Sequence, residues 1–450
     1  MHSMMRGGEW RNWAGDQRCR PARIVAPRSR EELAEAVGAA AAAGERVKVT
    51  GSGHSFTEAA MTEATMLRLD ALRGVLDADR ESGLVKVAAG TVLRDLNEEL
   101  AALGLALENL GDIDAQTLAG AISTGTHGTG AGLGNIPSRV EGIELVLADG
   151  SVRELRAAGA TEADGGAAGS SNDADLLRAA RIGLGALGAI SAVTIRCLPS
   201  FTLRRVDSAH RLADVLDRFD ELAERNDHFE LFTFPYSDRA LVLERNRTAA
   251  APKPKSRVVT VLNDVLLENW ALEAMAATGK AMPRAIPALA RFAGLVATGT
   301  TNQDRSDRIF VNRRDVRFTE MEYAVPRADG PTAVRRVIEW VRANRYPVFF
   351  PIEVRVAAGD DASLSAAHER DTAYIAVHQY RGMEWRPYFE AVESIMDDYG
   401  GRPHWGKRHF QTAATLAPRY PRWSEFQAAR DELDPGRTFA NDYTERVLGP

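Results

Sequence analysis

The sequence is poor in cysteine, and this scarcity excludes several classes of protein. Only two cysteines occur among 450 residues, Cys19 and Cys197, and they lie far apart in the chain. A disulfide-stabilised fold and a cysteine-ligated zinc site are therefore excluded, and we expect a reducing, cytoplasmic environment. No His-Glu-x-x-His motif or carboxylate cluster stands out in the sequence, so no metal centre is predicted.

Long hydrophobic runs and an excess of positive charge are also missing. The apolar stretches around residues 36–44 and 288–299 are too short or contain Arg291, so no membrane-spanning helix is predicted. The first ten residues lack an apolar segment of signal-peptide length. The net charge of −6 argues against nucleic acid or an anionic membrane as a partner. We therefore expect a soluble globular protein of two or three domains.

Strand and helix signals alternate in the first third of the chain, which indicates an α+β fold. Ser29 is the predicted N-cap of one helix, and Thr91 is the predicted N-cap of a second helix that ends before Gly104. Asp149 and Gly150 are typical of the turn of a β-hairpin.

The pattern changes near residue 200, where a second unit begins. We expect it to contain strands at 317–326, 348–357 and 372–380, a helix at 212–225 and a long helical stretch at 262–298. Residues 157–175, which are small, polar and acidic, are predicted to form a mobile surface loop in the first unit.

The turn GSGHSF, residues 51–56, carries a histidine between small residues. Gly51 and Gly53 allow the backbone to turn sharply and to bring its N–H groups close to an anion. The third glycine of a dinucleotide-binding fingerprint is missing, and Phe56 stands in its place, so an ordinary Rossmann site is not predicted. From these residues alone, the segment is either an anion-binding turn or a tight turn with an exposed histidine.

A second glycine-rich segment, LAGAISTGTHGTGAGLG, spans residues 118–134. Its glycines permit close approach to a ligand, and its serine and threonine hydroxyls suit phosphate or ribitol oxygens. It lacks the lysine of a P-loop, so a nucleoside triphosphate is not the expected ligand, and a flexible loop is the alternative. Just upstream, Gly111 marks a turn followed by Asp112 and Asp114. Two such segments in one α+β unit suit an extended ligand with a central pyrophosphate.

Charged residues interrupt a strand that is otherwise apolar. In PIEVRV, Glu353 and Arg355 lie on the same face of the predicted strand, between apolar neighbours. A charged pair on a buried strand is more typical of a site than of a surface ion pair. His378 and Tyr380 follow the same spacing on another strand, and HWGK supplies His404 and Lys407, although isolated histidines are commonly structural.

Six segments together resemble one family of flavoproteins. GSGHSF, LAGAISTGTHGTG, GLGALGAIS, EVR, HWGK and DPGRTFANDY occur here in the order found in the vanillyl-alcohol-oxidase-type (PCMH) flavoproteins, most closely in their aldonolactone oxidoreductases and alditol oxidases. The resemblance covers essentially the whole chain. It implies a two-subdomain PCMH-type FAD-binding domain at 1–200 and a mixed α/β substrate (cap) domain with a large antiparallel sheet at 201–400. Residues 401–450 would return to the flavin site.

The resemblance also assigns the cofactor and its contacts. In this family the histidine of the GxGHS turn is bonded to the 8α-methyl group of FAD, which makes His54 the expected flavin linker. The turn would wrap the pyrophosphate, residues 120–128 would lie along the ribitol and diphosphate, and Ile190 would reach the adenine end through its backbone. The implied cofactor-binding residues are Gly51, Ser52, Gly53, His54, Ser55, Gly111, Asp112, Thr117, Gly120, Thr124, His127, Gly128, Ile190 and His404.

On the substrate side, the resemblance implies catalytic roles for Glu353, Arg355 and Lys407 and a pocket shaped by Asp112, His378 and Tyr380. Arg355 would hold substrate oxygens, and either Glu353 or Lys407 would be the base. The implied reaction is hydride transfer to flavin N5 from a secondary alcohol carbon of an aldono-1,4-lactone, such as L-gulono-1,4-lactone, with cytochrome c, a dye or oxygen as the electron acceptor.

Two alternatives accompany this hypothesis. An alditol oxidase would act on open-chain polyols, but Asp112 and Tyr380 replace a serine and a threonine of that group. A non-catalytic flavin-binding protein would have no need of the polar residues on the second unit's strands. For the acceptor, Gly111 favours reaction with oxygen, whereas the long runs shared with dehydrogenases of the family favour a dye or cytochrome.

Overall fold

The computed structural model describes the chain in five stretches, which are residues 8–157, 171–254, 270–296, 299–312 and 316–450. Most of the loop predicted at 157–175 and both ends of the helical stretch predicted at 262–298 lie outside these residues. The loop prediction is wrong from residue 171, where the helix Ser171–Ala180 begins. Leu176 and Leu177 of this helix are buried in the core, which stabilises a segment that its polar composition marked as a loop.

Two sheets form the first unit. A parallel three-stranded sheet has the order Arg23–Val25, Thr65–Arg68, Val47–Thr50. An antiparallel five-stranded sheet has the order Val152–Arg156, Val140–Val146, Ala189–Arg196, Leu84–Ala88, Val75–Asp79. The helices of this unit are Arg30–Ala42, Leu93–Ala102, Leu118–Ser123 and Ser171–Ala180, and two short strand pairs join Trp10–Arg11 to Arg18–Cys19 and Leu105–Ala106 to Leu198–Pro199.

The ends of these elements test the capping predictions. The Ser29 side chain accepts a hydrogen bond from the Glu32 amide and caps the helix Arg30–Ala42, as predicted. The prediction for Thr91 is wrong, because its hydroxyl donates to the Ala88 carbonyl at 2.6 Å and the following helix begins after Val92 without a side-chain cap. Gly104 follows that helix with φ +76°, a conformation that favours glycine.

An antiparallel eight-stranded sheet forms the second unit. Its order is Thr301–Arg305, Thr202–Arg211, Arg239–Thr248, His228–Thr233, Ile352–Ala357, Thr372–Tyr380, Phe318–Pro326, Arg402–Pro403. The predicted helix at 212–225 is two helices, and the described part of the predicted helical stretch is also two. The helices of this unit are Leu212–Asp217, Phe219–Glu224, Ala271–Ala281, Ile286–Val296, Ser306–Phe310, Gly330–Ala343 and Arg386–Asp397.

The two faces of this sheet differ in chemistry because side chains alternate along each strand. One face packs under the helices Gly330–Ala343 and Arg386–Asp397 and contributes Ile352, Val354 and Val356 to the core. Each fully buried Val or Ile contributes about 1.5–3 kcal/mol. The opposite face carries buried charged residues, and this apolar packing offsets the cost of burying them. The charged residues are Glu230, Glu320, Glu322, Glu353 and Arg355.

The end of the chain packs against the first unit. Its helices are Ala413–Leu416, Trp423–Leu433 and Asp442–Leu448, and Phe426, Tyr443 and Val447 belong to the first unit's core. The Phe56 amide donates to the Gly406 carbonyl at 2.7 Å, and the Val47 amide donates to the Thr438 carbonyl at 2.8 Å. This return brings the HWGK segment beside the GSGHSF turn. Among the described residues, no helix combines the length and apolarity needed to cross a membrane.

Candidate active site

A narrow cleft of about 120 Å³ runs along the first unit, and we call it the glycine-lined cleft. Its walls come from the 48–55 segment, from Thr117 and Gly120, and from Gly185, Gly188 and Ile190. A Cβ atom on Gly51 would lie 2.3 Å from Thr117 Oγ1, and one on Gly120 would lie 2.9 Å from the same atom. Glycine is therefore required where these two segments meet.

Local hydrogen bonds hold the GSGHSF turn open toward this cleft. The turn begins at Gly51, directly after the strand Val47–Thr50. Gly53 has φ +70°, and its carbonyl accepts a hydrogen bond from the Trp13 amide at 2.7 Å. Opposite the turn, the second glycine-rich segment begins as the short helix Leu118–Ser123. Thr117 caps that helix by accepting from the Gly120 amide at 3.3 Å.

A larger cavity of about 570 Å³ lies between the first unit and the charged face of the eight-stranded sheet, and we call it the charged cavity. This volume is typical of a small-molecule site. Four residues line both the cavity and the glycine-lined cleft: His54, Ser55, Gln116 and Thr124. The two spaces are therefore adjoining, and the imidazole of His54 stands at their junction.

His54 is held as a neutral imidazole at this junction. Its ring stacks on Trp13, with centroids 5.7 Å apart and an interplanar angle of 23°. Burial, helped by the nearby charge of Lys407, lowers the pKa of His54 to about 4. A ring that is neutral at physiological pH keeps a nitrogen lone pair available for hydrogen bonding or for a covalent bond.

Arg355 lies at the centre of a cluster of three carboxylates. Its guanidinium contacts Asp112 and Glu353 and donates two hydrogen bonds of 3.0 Å to Glu230 Oε1. Arg245 completes the cluster by donating to Glu230 Oε2 at 2.8 Å. Burial disfavours the charge of Arg355, but these carboxylates outweigh it and hold its pKa well above the ordinary value. Arg355 is therefore a fixed cation in the cavity wall.

A second cluster surrounds Lys407. Its ammonium group contacts Glu320 Oε2, and Glu320 Oε1 lies 3.5 Å from His378 Nε2. Burial acts to raise the pKa of Glu320, but the charge of Lys407 opposes it, and the pKa stays below its ordinary range. On the same strand, Glu322 lies 3.2 Å from His127 Nε2.

Two groups of three side chains are close enough to share one cation: His127, Glu322 and His404, and Asp112, Glu230 and Glu353. In the first group, His404 Nδ1 accepts a hydrogen bond from the Gly406 amide at 3.0 Å, so its proton lies on Nε2, which cannot then be a ligand. In the second group, Arg355 already supplies the positive charge. Hydrogen bonds within the protein account for both groups.

The structure brings together most of the residues singled out in the sequence. Those in the charged cavity are His54, Ser55, Gly111, Asp112, Thr124, His127, Glu353, Arg355, His378, His404 and Lys407. Those in the glycine-lined cleft alone are Gly51, Ser52, Gly53, Thr117, Gly120 and Ile190.

Gly128 and Tyr380 line neither space. A Cβ on Gly128 would lie 2.1 Å from Asn109 Oδ1 and 2.5 Å from the Leu110 carbonyl oxygen, so this glycine allows close packing against residues 109–110. The Tyr380 hydroxyl donates to Glu273 at 2.5 Å, and its ring stacks on Phe350 in a separate apolar cluster.

The sequence analysis missed three buried carboxylates at this site, namely Glu230, Glu320 and Glu322. The sequence contained a signal for two of them. FTEMEYAVP places Glu320 and Glu322 two residues apart among apolar and aromatic neighbours, which is the pattern that identified Glu353 and Arg355.

Comparison with known proteins agrees with this architecture. The sequence model described as FAD binding domain matches residues 21–156, and the one described as D-arabinono-1,4-lactone oxidase matches residues 193–447. L-gulono-1,4-lactone dehydrogenase of Mycobacterium tuberculosis is 49% identical over 441 residues, which cover 98% of this chain and 99% of that protein. L-gulonolactone oxidase of Mus musculus is 32% identical over 450 residues, covering 98% and 99%.

The fold has a counterpart among solved structures. Cholesterol oxidase from B. sterolicum superimposes with a TM-score of 0.78 at 17% identity, over 98% of this chain and 97% of that structure. This likeness supports the predicted PCMH-type fold. With two family models and a full-length relative at 49% identity, the chain belongs to the D-arabinono-1,4-lactone oxidase family of FAD-dependent aldonolactone oxidoreductases.

Proposed function

We propose that this protein oxidises an aldono-1,4-lactone at a secondary alcohol carbon, with L-gulono-1,4-lactone as the first candidate substrate and the ascorbate-forming lactone as its product. The 49% identical relative is named for this substrate, and 32% identical relatives are named oxidases of the same lactone. The observation that carries the proposal is the charged cavity, which adjoins the glycine-lined cleft at His54 and presents Arg355 and Lys407 to a small polar ligand.

The residues of the cleft fit an extended dinucleotide. Glycine backbone lines the cleft at 51, 53, 120, 185 and 188, where a dinucleotide needs close approach. We propose that the GSGHSF turn and Thr117 hold the pyrophosphate of FAD, and that His54 forms a covalent bond to the 8α-methyl group. FAD, when bound, supplies the hydride acceptor of the reaction.

On the substrate side, charge and position suggest a division of roles. Arg355 binds substrate oxygens and balances negative charge that develops near them, since its own carboxylate partners keep it protonated and fixed. Glu353 orients the hydroxyl groups of the lactone, and the Lys407 ammonium group stabilises the oxygen at which charge develops. Asp112 holds Arg355 from the first unit, so this contact joins the two walls of the cavity.

A substrate panel tests the proposed function against its alternatives. We would mix anaerobic enzyme with L-gulono-1,4-lactone, D-arabinono-1,4-lactone, xylitol or sorbitol and follow the bleaching of flavin absorbance. Fast bleaching by a lactone and slow bleaching by the polyols is the expected result. The reverse order would make the protein an alditol oxidase. Absence of bleaching by every compound would favour a flavin-binding protein without turnover.

The glycine-lined cleft provides a prediction about cofactor content. In Gly51→Ala, the new methyl group would lie 2.3 Å from Thr117 Oγ1, and overpacking of this kind costs about 1–3 kcal/mol. We expect the purified variant to carry a minor fraction of the wild-type flavin, measured as the ratio of flavin to protein absorbance. Gly132→Ala is the matched control, because a Cβ there would meet no atom within 4 Å. Full flavin content in Gly51→Ala would remove this turn from the cofactor site.

The electron acceptor gives a further prediction. We expect a dehydrogenase that passes electrons to cytochrome c or a dye and reacts slowly with oxygen, because the 49% identical relative is named a dehydrogenase. Gly111 in the cavity wall argues the other way, since a larger residue there would restrict access. The test is reoxidation of substrate-reduced enzyme in air-saturated buffer compared with cytochrome c. Peroxide formation at the rate of turnover would make the enzyme an oxidase.

Three further assignments belong to the same proposal. The domains divide near residue 200, close to the start of the second family match at 193. Residues 401–450 complete the flavin site, in keeping with the contact between Gly406 and Phe56. We also propose a cytoplasmic location.

A further inference from the structure

The ring of His378 borders the charged cavity, and one of its nitrogens is bonded to the backbone. Its Nδ1 lies 3.1 Å from the Pro351 carbonyl, which can only accept a hydrogen bond, so Nδ1 carries a proton. In its neutral form the ring therefore has its lone pair on Nε2. This nitrogen lies 3.5 Å from Glu320, and the ring borders the cavity.

The register of the sheet places Glu320 beside His378. The two residues are direct cross-strand partners of the antiparallel strands Phe318–Pro326 and Thr372–Tyr380. Direct partners on one face have Cβ atoms about 4.5–5.5 Å apart. A carboxylate in this position stabilises a proton that arrives at Nε2, because it faces the nitrogen that gains the charge.

The other basic groups of the cavity are less suited to accept a proton. Lys407 contacts Glu320, and Glu320 and Glu322 raise its pKa against the effect of burial, so it is an ammonium ion at neutral pH. Glu353 is in contact with the permanently charged Arg355. His404 has its proton on Nε2 and its Nδ1 lone pair on the Gly406 amide.

We propose that Nε2 of His378 is the proton acceptor for the substrate hydroxyl and that Glu320 is a positioning residue that stabilises the resulting imidazolium. This inference rests on the proposed function. The substrate O–H bond breaks and an N–H bond forms at Nε2. The carbon–hydrogen bond of the same carbinol breaks with its electron pair, which leaves as hydride to the oxidised flavin, and a carbon–oxygen double bond forms. The imidazolium then releases its proton to solvent.

The environment of His378 sets the expected pH dependence. The charged and titratable groups around it are Glu320 and Glu322 from one neighbouring strand, Glu353 and Arg355 from the other, and Lys407 and His54 across the cavity. A base accepts a proton only in its unprotonated form, so we expect the limiting rate of flavin reduction to rise with pH. Glu320→Gln removes a carboxylate that favours the imidazolium, so the rising limb moves to lower pH.

The test is the limiting rate of anaerobic flavin reduction by L-gulono-1,4-lactone, measured against pH. We expect His378→Ala to lower this rate by about 100-fold or more and to abolish its rise with pH. Added imidazole should restore part of the rate, and more of it at pH values where a larger fraction of the imidazole is neutral. Dithionite reduction and the visible spectrum of the flavin in His378→Ala should match those of the wild type, which reports an intact site. His210→Ala, at an exposed histidine bonded to Ser208, is the control and should leave the rate unchanged.

Two outcomes would overturn the inference. If His378→Ala raises only KM and keeps both the limiting rate and its rise with pH, then His378 shapes the pocket and is not the base. If the rise of the limiting rate with pH persists in His378→Ala but disappears in Glu353→Gln, then Glu353 is the group that accepts the proton. Failure of the wild-type flavin to bleach with any lactone is a different result, because it would contradict the proposed function itself.

Discussion

In Arg355→Ala, we expect substrate-driven bleaching of the flavin to slow by roughly 100-fold or more, because the variant lacks the fixed cation that we propose stabilises developing charge. The wild-type guanidinium is fixed by hydrogen bonds to Glu230 and contacts with Asp112 and Glu353, so it costs little reorganisation when substrate oxygens gain charge. The measurement is the limiting rate of anaerobic reduction at saturating lactone, followed at the flavin absorbance maximum.

The same substitution should also affect stability. Breaking a buried ion pair by removing one partner costs about 3–5 kcal/mol, since the carboxylates around position 355 lose their shared cation. We expect Arg355→Ala to unfold at a lower temperature than the wild type while it retains flavin. Arg28→Ala, at an exposed arginine, is the control for loss of a positive charge.

Two related variants separate the positive charge of Arg355 from the geometry of its hydrogen bonds and from the role of Glu353. Arg355→Lys keeps a positive charge but cannot donate from a planar fork, so we expect it to recover stability more than rate. Glu353→Gln, which keeps Arg355 in place, should reduce the rate by roughly 100-fold if Glu353 orients the substrate. If Arg355→Ala folds, carries flavin and turns over at nearly the wild-type rate, Arg355 does not belong to the catalytic site.

The second large effect is expected at His54. The wild-type protein should keep its yellow colour in the pellet after acid precipitation, because a covalent bond survives denaturation. His54→Ala should release all of its flavin into the supernatant under the same treatment. The position of His54 at the junction of the two spaces and its neutral imidazole suit such a bond.

The proposed covalent bond would also change the reduction potential of the flavin. Bonding of the 8α-methyl group to a ring nitrogen withdraws electron density, so loss of the bond in His54→Ala is expected to lower the flavin's reduction potential. A dye-equilibration titration with xanthine oxidase compares the two proteins, and His210→Ala should behave as the wild type. Free FAD in the supernatant of the wild-type protein would refute the bond and leave non-covalent FAD binding intact.

Local sequence patterns were sufficient for much of the architecture. Ser29 caps its helix, Gly104 follows its helix with a positive φ, and the strand at 372–380 has the predicted bounds. The alternation of Glu353 and Arg355 with apolar residues correctly placed both on the polar face of a buried strand. These features depend on residues a few positions apart, whose relation is set by backbone geometry alone.

Other features were decided by contacts between distant parts of the chain. Thr91 is not an N-cap because its hydroxyl bonds to the Ala88 carbonyl, and residues 171–180 are helical because the core covers Leu176 and Leu177. The pairing of Glu320 with His378 follows from the register of two strands that are distant in the chain. Tyr380, two residues beyond His378, turns instead to Glu273 in a neighbouring cluster.

The sequence by itself determined many of the elements, the polar face of the large sheet and the residues that carry the family resemblance. Only the tertiary structure decided which carboxylate holds which cation. Asp112 reaches Arg355 from the other unit, and Glu320 on the strand Phe318–Pro326 holds Lys407. The physical reason is that the pairing of buried charges depends on distances of a few ångströms, which sheet register and unit packing set and which no local pattern encodes.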